Sequence, residues 1–77
     1  MKDFVEYIAK HLVDDPDAVH VDKIESDKTT IFELSVAPDD VGKIIGKSGK
    51  TVNAIRTLLT AVSVKEEGKR AMLEVND

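Results

Sequence analysis

The chain has 77 residues and no cysteine, with 42% hydrophobic and 34% charged side chains. That balance suits one small soluble domain spanning residues 1–77 and excludes a disulfide scaffold, thiol chemistry and a disordered chain. Fifteen Asp and Glu against eleven Lys and Arg leave a net charge of −4, which at first sight argues against a polyanionic partner.

Phe4, Val5, Ile8, Ala9, Leu12 and Val13 recur at helical spacing and predict a first helix ending near Val13, with Asp3 as its N-cap or first-turn acid. Tyr7 lies beside this stripe and reads as a partly buried packing residue. Asp14-Asp15-Pro16-Asp17 ends the helix, because proline disfavours helix at the residue before it. The N-terminal residues lack the apolar core of a signal peptide. No run approaches the ~20 apolar residues of a membrane span, so the expected location is the cytoplasm.

Val19-His20-Val21-Asp22 alternates as a strand, and Ile24 falls out of phase with it. A bulge near Asp22-Lys23 would return Ile24 to the buried face. The polar turn Ser26-Asp27-Lys28-Thr29 follows. Phe32, Leu34 and Val36 then alternate with Glu33 and Ser35, and Ile31 makes this the most apolar strand, which places it centrally. His11 and His20 are the only histidines. A zinc site would need carboxylates to complete it; both read as surface or edge residues, and no metal or cofactor is expected.

Pro38-Asp39-Asp40 opens a short helix, proline suiting its first position and acids its first turn. Asp39 and Asp40 therefore read as helix-start acids rather than paired catalytic or metal carboxylates. Gly42 is costly inside this helix and is expected to permit close packing. A longer helix is predicted from about Lys50 to Val62 or Ser63. Its main apolar stripe is Val52, Ile55, Leu59 and Val62, widened by Ala54, Leu58 and Ala61 beyond the ~100° of an ordinary surface helix. Asn53, Arg56, Thr57 and Thr60 make the other face low in charge. Either more of the fold covers this helix or a partner does, with Ala54, Thr57, Leu58 and Ala61 as the expected dimer interface. Glu66-Glu67-Gly68-Lys69 reads as a turn, and Ala71, Leu73 and Val75 mark a last strand. The order is α-β-β-α-α-β. The first two strands form a hairpin, and the second and third, joined by two helices, should be parallel.

Between the two later helices lies Ile44-Ile45-Gly46-Lys47-Ser48-Gly49-Lys50-Thr51-Val52. Residues 1–40 carry four basic and eleven acidic side chains and residues 41–77 seven basic and four acidic. Within Val41–Lys65 all five charges are positive: Lys43, Lys47, Lys50, Arg56 and Lys65. Glycine turns through conformations other residues avoid and lets another backbone come close. The unpartnered amides opening the next helix attract anions. A local polyanion site is implied, with weak binding because few phosphates can be neutralised at once. Gly49-Lys50-Thr51 matches the end of a nucleotide-binding P-loop, but that motif needs glycine five positions earlier, where Ile44 stands, and a preceding strand rather than a helix. A purely structural helix-turn-helix is the plainer alternative.

The run Ile45-Gly46-Lys47-Ser48-Gly49-Lys50-Thr51-Val52 resembles the (Ile/Val)-Ile-Gly-x-x-Gly-x-x-(Ile/Val) signature of KH domains, and the whole chain is similar to the small stand-alone bacterial KH proteins. The resemblance implies an α+β, type II KH fold, a three-stranded mixed sheet with three helices on one face. The type I order, β-α-α-β-β-α, does not fit. It implies a non-catalytic module of low sequence specificity that clamps single-stranded RNA, with DNA a poorer ligand, and a role in RNA-level regulation. Gly46 and Gly49 would admit the phosphate backbone, Lys47 and Lys50 supply charge, and Ser48 donate a hydrogen bond. Ile44, Ile45, Val52 and Val36 would line or support the groove. Lys43 and Arg56 are further contacts. With Phe4, Tyr7 and Phe32 as the only aromatics, none near the loop, a stacking platform is not expected. The alternative is chiefly a protein-interaction subunit: a homodimer, or a heterodimer with a second KH protein of the KhpB or Jag kind. No nucleophile–base pattern, metal set or complete nucleotide motif supports an enzyme.

Overall fold

Three strands set the frame: β1 (His20–Glu25), β2 (Thr29–Ser35) and β3 (Arg70–Asn76). The computed structural model describes residues 2–76. β2 is central, antiparallel to β1 and parallel to β3, as its apolar content predicts. Thr30, Phe32 and Leu34 point inward from β2, level with Ala71 and Leu73 of β3 and with Val21 of β1. The hairpin closes through the Ser26 N–H, which donates to the Thr29 carbonyl at 2.8 Å.

Three helices complete the order predicted from the sequence: α1 (Lys2–Leu12), α2 (Val41–Ile45) and α3 (Lys50–Glu67). Their buried positions (Val5 and Ala9 of α1, Ile44 of α2, Val52, Ile55 and Leu59 of α3) join the inward strand residues in one core. This is the α-β-β-α-α-β, mixed-sheet architecture of a type II KH fold. No helix among the described residues is long and apolar enough to cross a membrane.

The structure corrects four local expectations. First, no bulge occurs in β1. Pairing runs unbroken from His20↔Ser35 to Glu25↔Thr30, so Ile24 lies opposite Ile31 on the outer face, 50% exposed. Inward from the same stretch comes Lys23, whose ammonium meets Glu25 at 2.9 Å and Glu67 at 3.8 Å. That end of the strand faces an ion pair rather than core, and nothing pulls Ile24 inward. Second, Tyr7 is 63% exposed, its ring tilted against His11 at 4.3 Å, and His11 Nδ1 donates to the Tyr7 carbonyl.

Third, α3 runs one turn further than predicted, through Glu66 and Glu67. It stops at Gly68, whose left-handed backbone (φ 68°, ψ 19°) turns its N–H onto the Val64 carbonyl. With the longer helix Ser63 takes the fourth buried position and Val62 is only half-buried. Fourth, Gly42 permits no close packing within the chain, since a Cβ there would meet nothing within 4 Å.

Candidate nucleic-acid interface

The chain between α2 and α3 turns through a single 3₁₀ turn, Lys47–Gly49. Three of its positions have positive φ: Gly46 (76°), Ser48 (55°) and Gly49 (77°). The two glycines are required for different reasons. A Cβ on Gly46 would lie 2.6 Å from Thr51 Cβ and 2.8 Å from the Thr51 nitrogen, so backbone and side chain of α3 close that space. On Gly49 a Cβ would meet only Asn53 Nδ2, at an ordinary 3.7 Å, and the left-handed backbone alone asks for glycine. Ser48 holds the left-handed conformation without being glycine, a strain of about 1 kcal/mol. The turn is pinned at both ends: Gly46 N–H donates to the Gly42 carbonyl at 2.9 Å, and Gly49 N–H to the Gly46 carbonyl at 3.2 Å.

Lys47, Ser48 and Lys50 are exposed around this turn. Neither lysine forms a salt bridge among the described residues. No side chain caps the start of α3, and Gly49 N–H and Lys50 N–H already donate to the Gly46 and Lys47 carbonyls, which leaves the positive end of the helix dipole next to two exposed lysines. Such an arrangement favours a phosphate. Ile45 and Val36 are half-buried, whereas Ile44 (0% exposed) and Val52 (4%) are core residues that hold the turn from beneath. Thr51, which the sequence reading passed over, fills the space above Gly46.

Lys43 belongs to a different network. Its ammonium bonds Asp14, from the segment after α1, and Asp40, at 3.1 Å. Asp40 is 2% exposed and also accepts the Asp15 N–H at 3.1 Å. Burial by itself would push the Asp40 carboxyl up, but Lys43 and the backbone N–H groups of Asp15 and Asp14 together outweigh it and hold the group below the usual aspartate range. Asp14, then Asp40, raise the Lys43 ammonium in turn. Asp40 is thus more than the helix-start acid of the sequence reading. It ties the start of α2 to the segment before β1.

Arg56 is about 9 Å along α3 from Lys50 and turned toward β3. Its Nε and Nη2 donate to the Leu73 carbonyl at 3.3 and 3.2 Å, and its Nη1 to Asn53 Oδ1 at 3.3 Å. Thr60 Oγ1 donates to the Ala71 carbonyl at 3.4 Å. These bonds cover carbonyls on the free edge of β3 and border a shallow depression between Arg56, Thr60 and residues 71–74. Ala54, Thr57, Leu58 and Ala61 are all exposed on the outer face of α3, Leu58 at 51%, with no described residue covering them. Arg56 and Thr60 also border a second depression together with Thr57 and Ala61, so the edge-bound arginine adjoins this apolar face.

A family model described as "KhpA/KhpB, KH domain" matches residues 2–75. The chain is 48% identical to the RNA-binding protein KhpA of Chlamydia caviae over 77 residues, 100% of this chain and 99% of that protein. It is 51% identical to that of Caldanaerobacter subterraneus subsp. tengcongensis over 75 residues (97% and 99%), and 49% identical to that of Aquifex aeolicus over 75 residues (97% and 94%).

Proposed function

Because this chain belongs to the KhpA/KhpB KH-domain family, we propose that its 77 residues form one non-catalytic KH unit that binds single-stranded RNA in the cytoplasm, without a cofactor. The observation that carries this reading is the turn from Gly46 to Gly49: sterically closed at Gly46, flanked by the exposed Lys47 and Lys50, and set at a helix start that no side chain caps. The RNA backbone passes over Gly46 and Gly49, the two ammonium groups and the Ser48 hydroxyl meet phosphate oxygens, and Ile45 and Val36 supply the apolar side. Ile44 and Val52 support the turn from the core. Lys43, already held by two carboxylates, is a poorer phosphate ligand than Lys47 or Lys50. Arg56 offers its guanidinium beside the β3 edge to a base further along the strand. Phosphate contacts dominate, so sequence selectivity is low and DNA binds less well.

Lys47→Asp/Ser48→Asp tests this more cleanly than substitution of either glycine, because both side chains are exposed and aspartate tolerates the left-handed backbone of Ser48. Fluorescence anisotropy with short single-stranded RNA should show binding whose logarithm falls with log salt at a slope of about −1.4, two phosphates at about 0.7 each. The variant, folded by circular dichroism, should lose that binding. Equal binding by variant and parent would remove the turn from the site.

The exposed, low-charge outer face of α3 favours a second reading that can hold beside the first. In it Ala54, Thr57, Leu58 and Ala61 pair with a second copy or with another KH protein of the KhpB or Jag kind. RNA-level regulation would then depend on the pair.

A further inference from the structure

The outer face of the sheet carries two rows of different chemistry. Ile24, Ile31 and Met72 stand in register across β1, β2 and β3. Ile24 is 50% and Met72 48% exposed, and Ile31 between them is half-buried. One pleat away, Asp22, Glu33 and Glu74 form a second row, also in register. None of these three carboxylates is in a salt bridge among the described residues. The core and its helices lie on the other face. Folding asks for neither row. Like charges directly opposite are unfavourable, and an exposed apolar side chain gains nothing from burial. Single exposed apolar residues are ordinary, whereas adjoining ones rimmed by charge mark an interaction surface.

The two rows together identify the occupant. Carboxylates repel a nucleic-acid strand or an anionic membrane surface and attract cations. The apolar row asks for apolar side chains beside those cations. Strands about 4.8 Å apart make each row about 10 Å long, and two turns of α-helix advance about 10.8 Å. A helix laid across the strands would therefore set apolar residues one turn apart on Ile24, Ile31 and Met72. The acidic row runs alongside, about 6.8 Å away, within reach of lysine or arginine side chains on one flank of that helix. Arg70, in register with Thr29, stands on the opposite side of the apolar row and turns the cationic flank toward the acids. A second copy of the chain, itself at net −4, is a poorer match. We propose that the outer face of the sheet docks a basic amphipathic helix of a partner protein, with its apolar stripe on the Ile24–Ile31–Met72 row and its cations on Asp22, Glu33 and Glu74. The proposal does not rest on the RNA-binding reading of the glycine turn.

The probe is a fluorescent helical peptide of leucine, alanine and lysine, about 14 residues or four turns long, with a leucine stripe flanked by one lysine stripe. Its control carries glutamate in place of lysine. Anisotropy should show the lysine peptide binding at least about tenfold tighter than the control. Amide shifts of the isotope-labelled chain should map that binding to β1, β2 and β3. Glu33→Gln/Glu74→Gln relieves the repulsion, so its Tm should equal or exceed the parent's while peptide affinity falls about tenfold. Ile24→Thr/Met72→Thr keeps strand formers at exposed positions and should lose the peptide as well. No binding by the parent, equal binding of the control, or shifts centred on another face would overturn the proposal. So would unchanged affinity in either folded variant, or a lower Tm for the glutamine variant, which would make the acidic row structural. A dimeric parent made monomeric by Ile24→Thr/Met72→Thr, read by light scattering, would seat a second copy there instead. Shifts of the same amides by an oligouridylate would seat RNA there, and either result sinks the proposal.

Discussion

A single buried carboxylate holds the approach to α2. Asp40 takes hydrogen bonds from Lys43 and from the Asp15 N–H, and through Lys43 it is joined to Asp14. Its carboxyl lies below the usual aspartate range in the folded chain, so the unfolded chain binds its proton first as pH falls. The stabilisation is therefore complete above the ordinary aspartate range and is lost as pH drops through the folded value. Thermal melts followed by circular dichroism should show Tm declining from about pH 5 downward. Asp40→Asn should be less stable than the parent at neutral pH, with a flatter acid limb. An unchanged acid limb in that variant would assign the decline to other carboxylates. Removing a partner from a buried pair leaves the other group unsatisfied, so Lys43→Met should also lower Tm at neutral pH.

At the scale of elements, the fold's secondary structure is stable because inward positions are apolar, and two exceptions can be tested. Thr30 in β2 and Ser63 in α3 are buried, and their hydroxyls find no partner among the described residues. Thr30→Val keeps the shape and removes the unpaired group, so it should stabilise by about 1 kcal/mol and raise Tm by roughly 4–8 °C; a fall in Tm would mean the hydroxyl is satisfied in solution. The same two residues show where the sequence was legible. Alternation in β2 and the 3–4 spacing of α1 register burial at Phe32, Leu34, Val5 and Ala9, although Phe4 is exposed, α1 stops at Leu12 and β2 takes Thr29 from the turn and ends at Ser35. The polar Ser63 interrupts the apolar stripe of α3, which places the expected end at Val62 or Ser63, whereas Gly68 marks the true end. In β1 the phase of Ile24 suggested a bulge because the rule assumes core behind every inward position. There the inward residue is Lys23, answered by Glu67, 44 positions later in the chain. Likewise Lys43 reads as a further RNA contact because its partner Asp14 is 29 residues away. Local patterns carry the core and the glycine turn. Ion pairs across the fold leave no local signature.

For the whole molecule, the outer face of the sheet carries an acidic row beside an apolar row of Ile24, Ile31 and Met72, exposed at Ile24 and Met72, and the exposed lysines of the loop lie elsewhere. Asp22, Glu33 and Glu74 stand in register across the outer face of the sheet, although like charges directly opposite are unfavourable. The exposed Lys47 and Lys50 belong to the helical side. On the proposed reading the acidic row disfavours a polyanion on the sheet and leaves the loop as its site despite the net charge of −4. One loop with two lysines then binds weakly, and pairing through the outer face of α3 would raise the affinity. Leu58→Lys places a charge on that face without touching the core, Leu58 being 51% exposed. Sedimentation equilibrium should show a dimer for the parent and a monomer for the variant. On an RNA long enough to reach two loops, the parent should bind about 100-fold tighter than the variant through effective concentration. On a short oligomer that fills one loop the two should bind alike. A parent that stays monomeric at high concentration would move the partner elsewhere. An affinity loss on the short oligomer as well would mean that Leu58 lies in the RNA path itself, and the loop and the outer face of α3 would then be one site instead of two.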